Sequence, residues 1–71
     1  MYLQRLRDMR EDADMSQDNL AAHLGIRQTV YSRYERGERT IPLQHLIKLA
    51  DLYNVSLDFL CGRTNNPKPI Q

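Results

Sequence analysis

Gln28, Thr29, Ser32, Arg33 and Arg36 recur at the spacing that collects residues on one side of a helix. Their chemistry is hydrogen bonding and charge. An amide donates and accepts at once, a guanidinium donates as a planar fork, and a hydroxyl does both. Such a set recognises polar edges and anions and does not make or break bonds. No nucleophile, base and orienting group stand at plausible spacing elsewhere, and no Gly-rich phosphate cradle is present. His23 and His45 fall on different predicted helices without an accompanying acid or cysteine cluster, so both read as surface residues rather than metal ligands. Cys61 is the single cysteine, which leaves no internal disulfide and no thiolate cluster. The expectation is a protein that is not an enzyme, with no cofactor, no metal and no small-molecule ligand.

The elements that present this face lie between Ser16 and Gly37, in SQDNLAAHLGIRQTVYSRYERG. Ser16 can cap a helix over Gln17 to Leu24, with Asp18 where the helix dipole favours negative charge. Leu20, Ala21 and Leu24 form its inward stripe, and Gly25 supplies a turn residue free of steric penalty. A further helix follows within two or three residues, over about 28–36, with Val30, Tyr31 and Tyr34 on the side opposite the polar face. Two short helices joined by a tight turn are the layout of a helix-turn-helix, which can lay its second helix in the major groove of DNA while the first crosses the backbone.

Three more helices complete an all-α, five-helix chain. Leu3, Leu6, Met9 and Ala13 set the apolar stripe of a first helix over Tyr2 to Ala13, ended by Asp14 in the left-handed conformation. Leu46, Leu49, Ala50 and Tyr53 define a fourth over Pro42 to Tyr53. Ser56 caps a short fifth, Leu57 to Cys61, with Gly62 as its stop. The stretch RTNNPKPIQ, residues 63–71, has two prolines and no apolar period, and reads as an extended tail after a domain over residues 1–62. At 71 residues there is room for one small core, and a domain of this size buries only about 60% of its unfolded surface. Tyr31, Tyr34 and Tyr53 share the phase of the apolar residues and are assigned to that core.

The net charge is only +1, but it is unevenly placed. Asp8 to Asp18 holds five acids against Arg10, whereas Arg27 to Lys48 holds five bases against Glu35 and Glu38. A basic surface on the third helix and the loop after it is what attraction to phosphate requires, whatever the whole-chain sum.

Three linked segments, MSQDNLAAHLGI, YSRYERG and IPLQHLIKLADLYNVSLDFL, resemble the phage-repressor type of helix-turn-helix, the Cro and C1-like or xenobiotic-response-element regulators, over about residues 3–61. The resemblance implies a lambda-repressor-like DNA-binding domain. It implies base reading by Gln28 and Thr29 at the start of the third helix, with Arg33 one turn on. Gln can bond bidentately to adenine, Arg to guanine, and a Thr methyl can meet the methyl of thymine. Gln17 falls on the family position that meets a phosphate and braces the first groove-reading side chain, and Ser32, Arg36, Arg39 and Thr40 are placed to contact phosphates. Arg10 lies inside an apolar stripe and Glu35 beside two inward tyrosines, so each needs a partner. The resemblance pairs them.

The implied partner is double-stranded DNA, read by a homodimer on a near-palindromic operator with half-sites about 34 Å apart. Leu57, Phe59, Leu60, Cys61 and Ile70 are the apolar residues expected to form the dimer interface. Repression is the default expectation from the family, and activation is equally compatible with the residues. The rival reading is an antitoxin or antirepressor-type module that binds a protein partner through the same helices. No apolar stretch approaches the roughly 20 residues of a membrane span, and the lone cysteine suits a reducing compartment, so a cytoplasmic location is expected.

Overall fold

The computed structural model describes residues 2–69. Among these it contains five helices and no strand: α1 Gln4–Asp12, α2 Gln17–Leu24, α3 Gln28–Glu35, α4 Leu43–Tyr53 and α5 Leu57–Leu60. Leu6, Leu20, Tyr31, Leu49 and Leu60 are fully buried, so every helix sends at least one large side chain into a shared core. With so few residues, this common centre is the only way to shield that much apolar surface.

Local sequence explains the boundaries. Ser16 Oγ accepts from Asn19 N–H at 3.0 Å, and Asn19 Oδ1 accepts from Ser16 N–H at 2.9 Å, closing a reciprocal cap at the start of α2. Gly25 ends α2 at φ +72°, and Ile26 N–H reaches back to Ala21 O at 2.9 Å, so the turn into α3 is set by the backbone itself. Asp14 takes the left-handed conformation expected of it, at φ +60°. Gly37 follows α3 at φ +76°, and a Cβ there would lie 3.0 Å from Tyr2 Cα, so the end of α3 and the entry to α1 can touch only through glycine.

Four of the helices are shorter by a residue or more than the sequence pattern suggested. α1 begins at Gln4 because Leu3 is extended, at φ −117° and ψ 97°, and turns inward as a core residue. Pro42 stands outside α4 as its N-cap, with ψ 148°. α5 is a single turn capped by Ser56 Oγ on Phe59 N–H at 3.0 Å, and Cys61 lies just beyond it.

One expected interface residue is displaced by this packing. Leu60 is fully buried in the core cluster and cannot face a second molecule. The single turn capped by Ser56 sends Leu60 fully inward, while Leu57 packs only against the edge of the core. Leu57, Phe59 and Cys61 are partly exposed, while Ile70 lies outside the described residues.

Residues 63–69 form no helix, as their prolines require, yet they do not run free. Ser56 N–H donates to Pro67 O at 3.0 Å. Arg5 stacks its guanidinium 3.9 Å above the Phe59 ring and donates to Phe59 O at 2.7 Å, to Thr64 O, and to Asn65 Oδ1 at 2.8 Å. An arginine on α1 thus fastens α5 and the start of the tail to the body. Among the described residues no helix is long and apolar enough to cross a membrane.

Candidate nucleic-acid interface

α2 and α3 are joined by the three residues Gly25, Ile26 and Arg27, and a side-chain hydrogen bond brings their first residues together. Gln17 opens α2 and Gln28 opens α3. Their side chains meet, with Gln28 Nε2 donating to Gln17 Oε1 at 2.6 Å. Down the outer side of α3, Gln28, Thr29, Ser32, Arg33 and Arg36 line one shallow recess. Thr29 and Arg33 are exposed, Gln28 is half-buried, and Ser32 is almost covered.

The inner side of α3 is held by charge as well as by packing. Glu35, 5% exposed, receives Arg10 in a two-pronged pair, Nε to Oε2 at 2.6 Å and Nη2 to Oε1 at 3.2 Å. Arg10 also donates to Met15 O at 3.1 Å, tying the loop before α2 into the same knot. Gln17 Nε2 donates to Glu35 Oε1 at 3.2 Å. Burial alone would raise the Glu35 pKa, but the hydrogen bonds from Arg10 and Gln17 outweigh it and hold the carboxyl below the ordinary glutamate range. The Arg10 pKa is raised in return, first by its hydrogen bond to Glu35.

The Tyr31 hydroxyl is buried beside this knot and makes no hydrogen bond of good geometry. Burial first, then the negative Glu35, push its pKa well above the ordinary tyrosine value. Tyr53 follows the same logic and is pushed up to about 12. These tyrosines pack in or against the core and offer no stacking platform to a ligand.

The cations along the rim differ in their freedom. Arg36 donates to Glu38 Oε2 at 2.6 Å and to Ser32 Oγ at 2.9 Å, so it is partnered on both sides. Among the described residues Arg33, Arg39 and Thr40 make no side-chain hydrogen bond, and all three are exposed. Sequence reasoning did not single out Asn19, Glu38 or Arg5. The Ser-x-x-Asn spacing of the cap and the Arg-x-Glu spacing of the exposed pair carried the first two. The Arg5 clasp spans more than fifty residues and leaves no local trace. Among the described residues no group of acids, histidines and cysteines could hold a metal.

Two short helices at a glycine turn, with a polar, cationic outer face on the second, define a helix-turn-helix arrangement. A family profile described as helix-turn-helix matches residues 6–60, and the chain belongs to that family, of Cro/C1 type, whose members are DNA-binding transcriptional regulators. It is 41% identical over 69 residues to an uncharacterized HTH-type transcriptional regulator, YobD, of Bacillus subtilis, covering 97% of this chain and 62% of that protein. It is 38% identical over 60 residues to the cryptic phage CTXphi transcriptional repressor RstR of Vibrio cholerae, covering 84% of this chain and 54% of the relative. The HTH-type transcriptional regulator ImmR of Bacillus subtilis is 41% identical over 59 residues, with 83% and 46% covered. The chain therefore spans about half to three-fifths of the length of these relatives. No solved structure gives a significant match.

Proposed function

We propose that this chain is the DNA-reading part of a transcriptional repressor and inserts α3 into the major groove of a near-palindromic operator. The observation that carries the reading is the outer side of α3. Every residue lining its recess carries an amide, hydroxyl or guanidinium group, and Arg33 is unpaired among the described residues. Such a surface suits base edges and phosphates and is poorly suited to an apolar protein groove. Gln28, Thr29 and Arg33 read bases. Gln17, Ser32, Arg36, Arg39 and Thr40 contact the backbone and set register. Repression, rather than activation, is supported by the similarity to the Vibrio cholerae transcriptional repressor RstR.

The chain acts as a homodimer, because a helix as short as α3 reads only a few base pairs and two half-sites supply the missing specificity. Leu57 shares an apolar groove with Ile47, Val55 and Pro69, and this groove replaces Leu60 as the apolar part of the contact. A DNA target and the single thiol of Cys61 both go with a cytoplasmic site of action. A protein-binding module remains the second reading, favoured by Leu43, Ile47 and Leu52, which are exposed on α4 away from the recess.

Selection of bound sequences from a random duplex pool tests the proposal. Wild type should enrich an inverted repeat, and affinity for random DNA should fall steeply with salt as counterions are released. Gln28→Ala should cost about 1–3 kcal/mol on the enriched site and little on random duplex. No enriched sequence together with flat salt dependence would transfer the domain to the protein-binding reading.

A further inference from the structure

Gln28 is tied to the interior by three successive hydrogen-bonded links. Gln28 Nε2 donates to Gln17 Oε1 at 2.6 Å, Gln17 Nε2 donates to Glu35 Oε1 at 3.2 Å, and Glu35 is clamped by Arg10. Two glutamine amides facing each other have no preferred polarity, since either can donate to the other and the two arrangements are nearly the same shape. A carboxylate removes that degeneracy. An ionised carboxylate only accepts, and Glu35 is buried against a guanidinium that keeps it ionised. Gln17 must therefore turn its nitrogen towards Glu35 and its oxygen towards Gln28. Gln28 must then turn its own nitrogen inward, which leaves one N–H beside Gln17 and the Oε1 acceptor beyond it.

We infer that Glu35 is a specificity-positioning residue, which fixes through Gln17 the direction in which the Gln28 amide presents its donor and acceptor to a base. The inference rests on the groove-reading role proposed above. Adenine shows an acceptor, N7, beside a donor, the N6 amino group, and a Gln amide of fixed polarity matches that pair in one direction only. Guanine shows two acceptors and thymine an acceptor beside a methyl group, so neither completes both bonds. Without the carboxylate, the amide chain can reverse and the preference at that position dissolves.

The test compares selected-pool base preferences for wild type, Gln28→Ala, Glu35→Gln, and the exchange Gln17→Glu with Glu35→Gln, each checked by thermal melting. In Glu35→Gln the new amide keeps its oxygen on Arg10 and offers its nitrogen to Gln17, which inverts the chain. The expected result is loss of preference at one position per half-site, the one that Gln28→Ala also loses, by roughly 5- to 150-fold, with the remaining positions unchanged. The exchange places an acceptor-only group at position 17 facing a donor at position 35, so it should restore that preference at unchanged net charge. Two results overturn the inference: wild-type preference in Glu35→Gln, or a uniform loss at all positions that the exchange does not repair. Should Glu35→Gln fail to fold, Gln17→Met leaves the Arg10–Glu35 pair intact and frees Gln28, and an unaltered preference there overturns it equally. If Gln28→Ala changes no position at all, base reading by α3 fails first, and that outcome is distinct from the others.

Discussion

Arg10 Nε lies 2.6 Å from Glu35 Oε2, joining the last full turn of α1 to the end of α3 across 25 positions of sequence. The pair sits on the side of α3 away from its polar outer face, with side chains 16% and 4% exposed, and it is the only polar tether between α1 and α3 among the described residues. Its position means that the orientation of α3 depends on a charge pair as well as on the burial of Tyr31 and Tyr34.

Arg10→Met should lower stability by about 3–5 kcal/mol, because it leaves Glu35 buried without its counter-ion. In a domain of this size each kcal/mol moves Tm by roughly 4–8 °C, so the melting curve at neutral pH should fall by well over 10 °C. Arg10→Met combined with Glu35→Leu should recover much of the loss, since neither charge is then stranded. An unchanged Tm in the single variant would contradict a structural role for the pair.

The same pair sets an acid limit. The folded pKa of Glu35 is lowered, so its contribution is fully present above the ordinary glutamate range and is lost as pH falls through the depressed value. Wild type should therefore lose stability progressively below about pH 4. In Arg10→Met the carboxylate loses the partner that kept it ionised, so the gap in Tm between variant and wild type should narrow as the pH is lowered. Parallel melts from neutral pH to about pH 3 read this directly.

Tyr53 supplies the alkaline counterpart. Its hydroxyl is buried without a hydrogen-bond partner, and burial, reinforced by Glu35, raises its pKa to about 12. A raised pKa means stability that is present below the ordinary tyrosine value of about 10 and is lost as pH climbs towards the folded value. Tyr53→Phe removes both the unsatisfied hydroxyl and the titration. Stability at neutral pH should be unchanged or higher by up to about 1 kcal/mol, and the decline above pH 10 should be shallower. A loss of stability at neutral pH would reveal a partner for the hydroxyl.

The apolar stripes, the caps Ser16 and Ser56, and the helix stops Gly25 and Gly62, both at positive φ, made the order and number of helices readable, because each signal is local and acts through one turn of backbone. The polar face of α3 was readable for the same reason. Leu60 was not, since a single-turn helix has too few residues for its period to separate inward from outward positions, and only packing against the other helices decides it. Glu35 was visible as a partner for Arg10 but not as a partner for Gln17, because that contact depends on where α2 crosses α3. The Arg5 clasp on Phe59, Thr64 and Asn65 depends on how the chain ends come together, which no spacing records.

Glu38 restrains the proposed grip of α3 on phosphate. Arg36 stands at the C-terminal end of the recess, and both prongs of its guanidinium bond to the Glu38 carboxylate, at 2.6 and 3.3 Å. The pair is exposed, so it adds little to stability. Its proposed effect is on binding: to grip a phosphate, Arg36 would have to exchange the Glu38 carboxylate for it, and a carboxylate beside that phosphate would repel it. Glu38→Gln should leave Tm nearly unchanged while it strengthens binding to random duplex. If Arg36 then adds one full phosphate contact, the slope of log K against log salt should steepen by about 0.9. Asp12→Asn, exposed at the end of α1 and outside both the recess and the groove beside Leu57, makes the same change in net charge and serves as the control. A steeper slope in Glu38→Gln alone places Arg36 on a phosphate, whereas equal shifts in the two variants would mean that only the overall charge matters and that Arg36 does not touch the backbone.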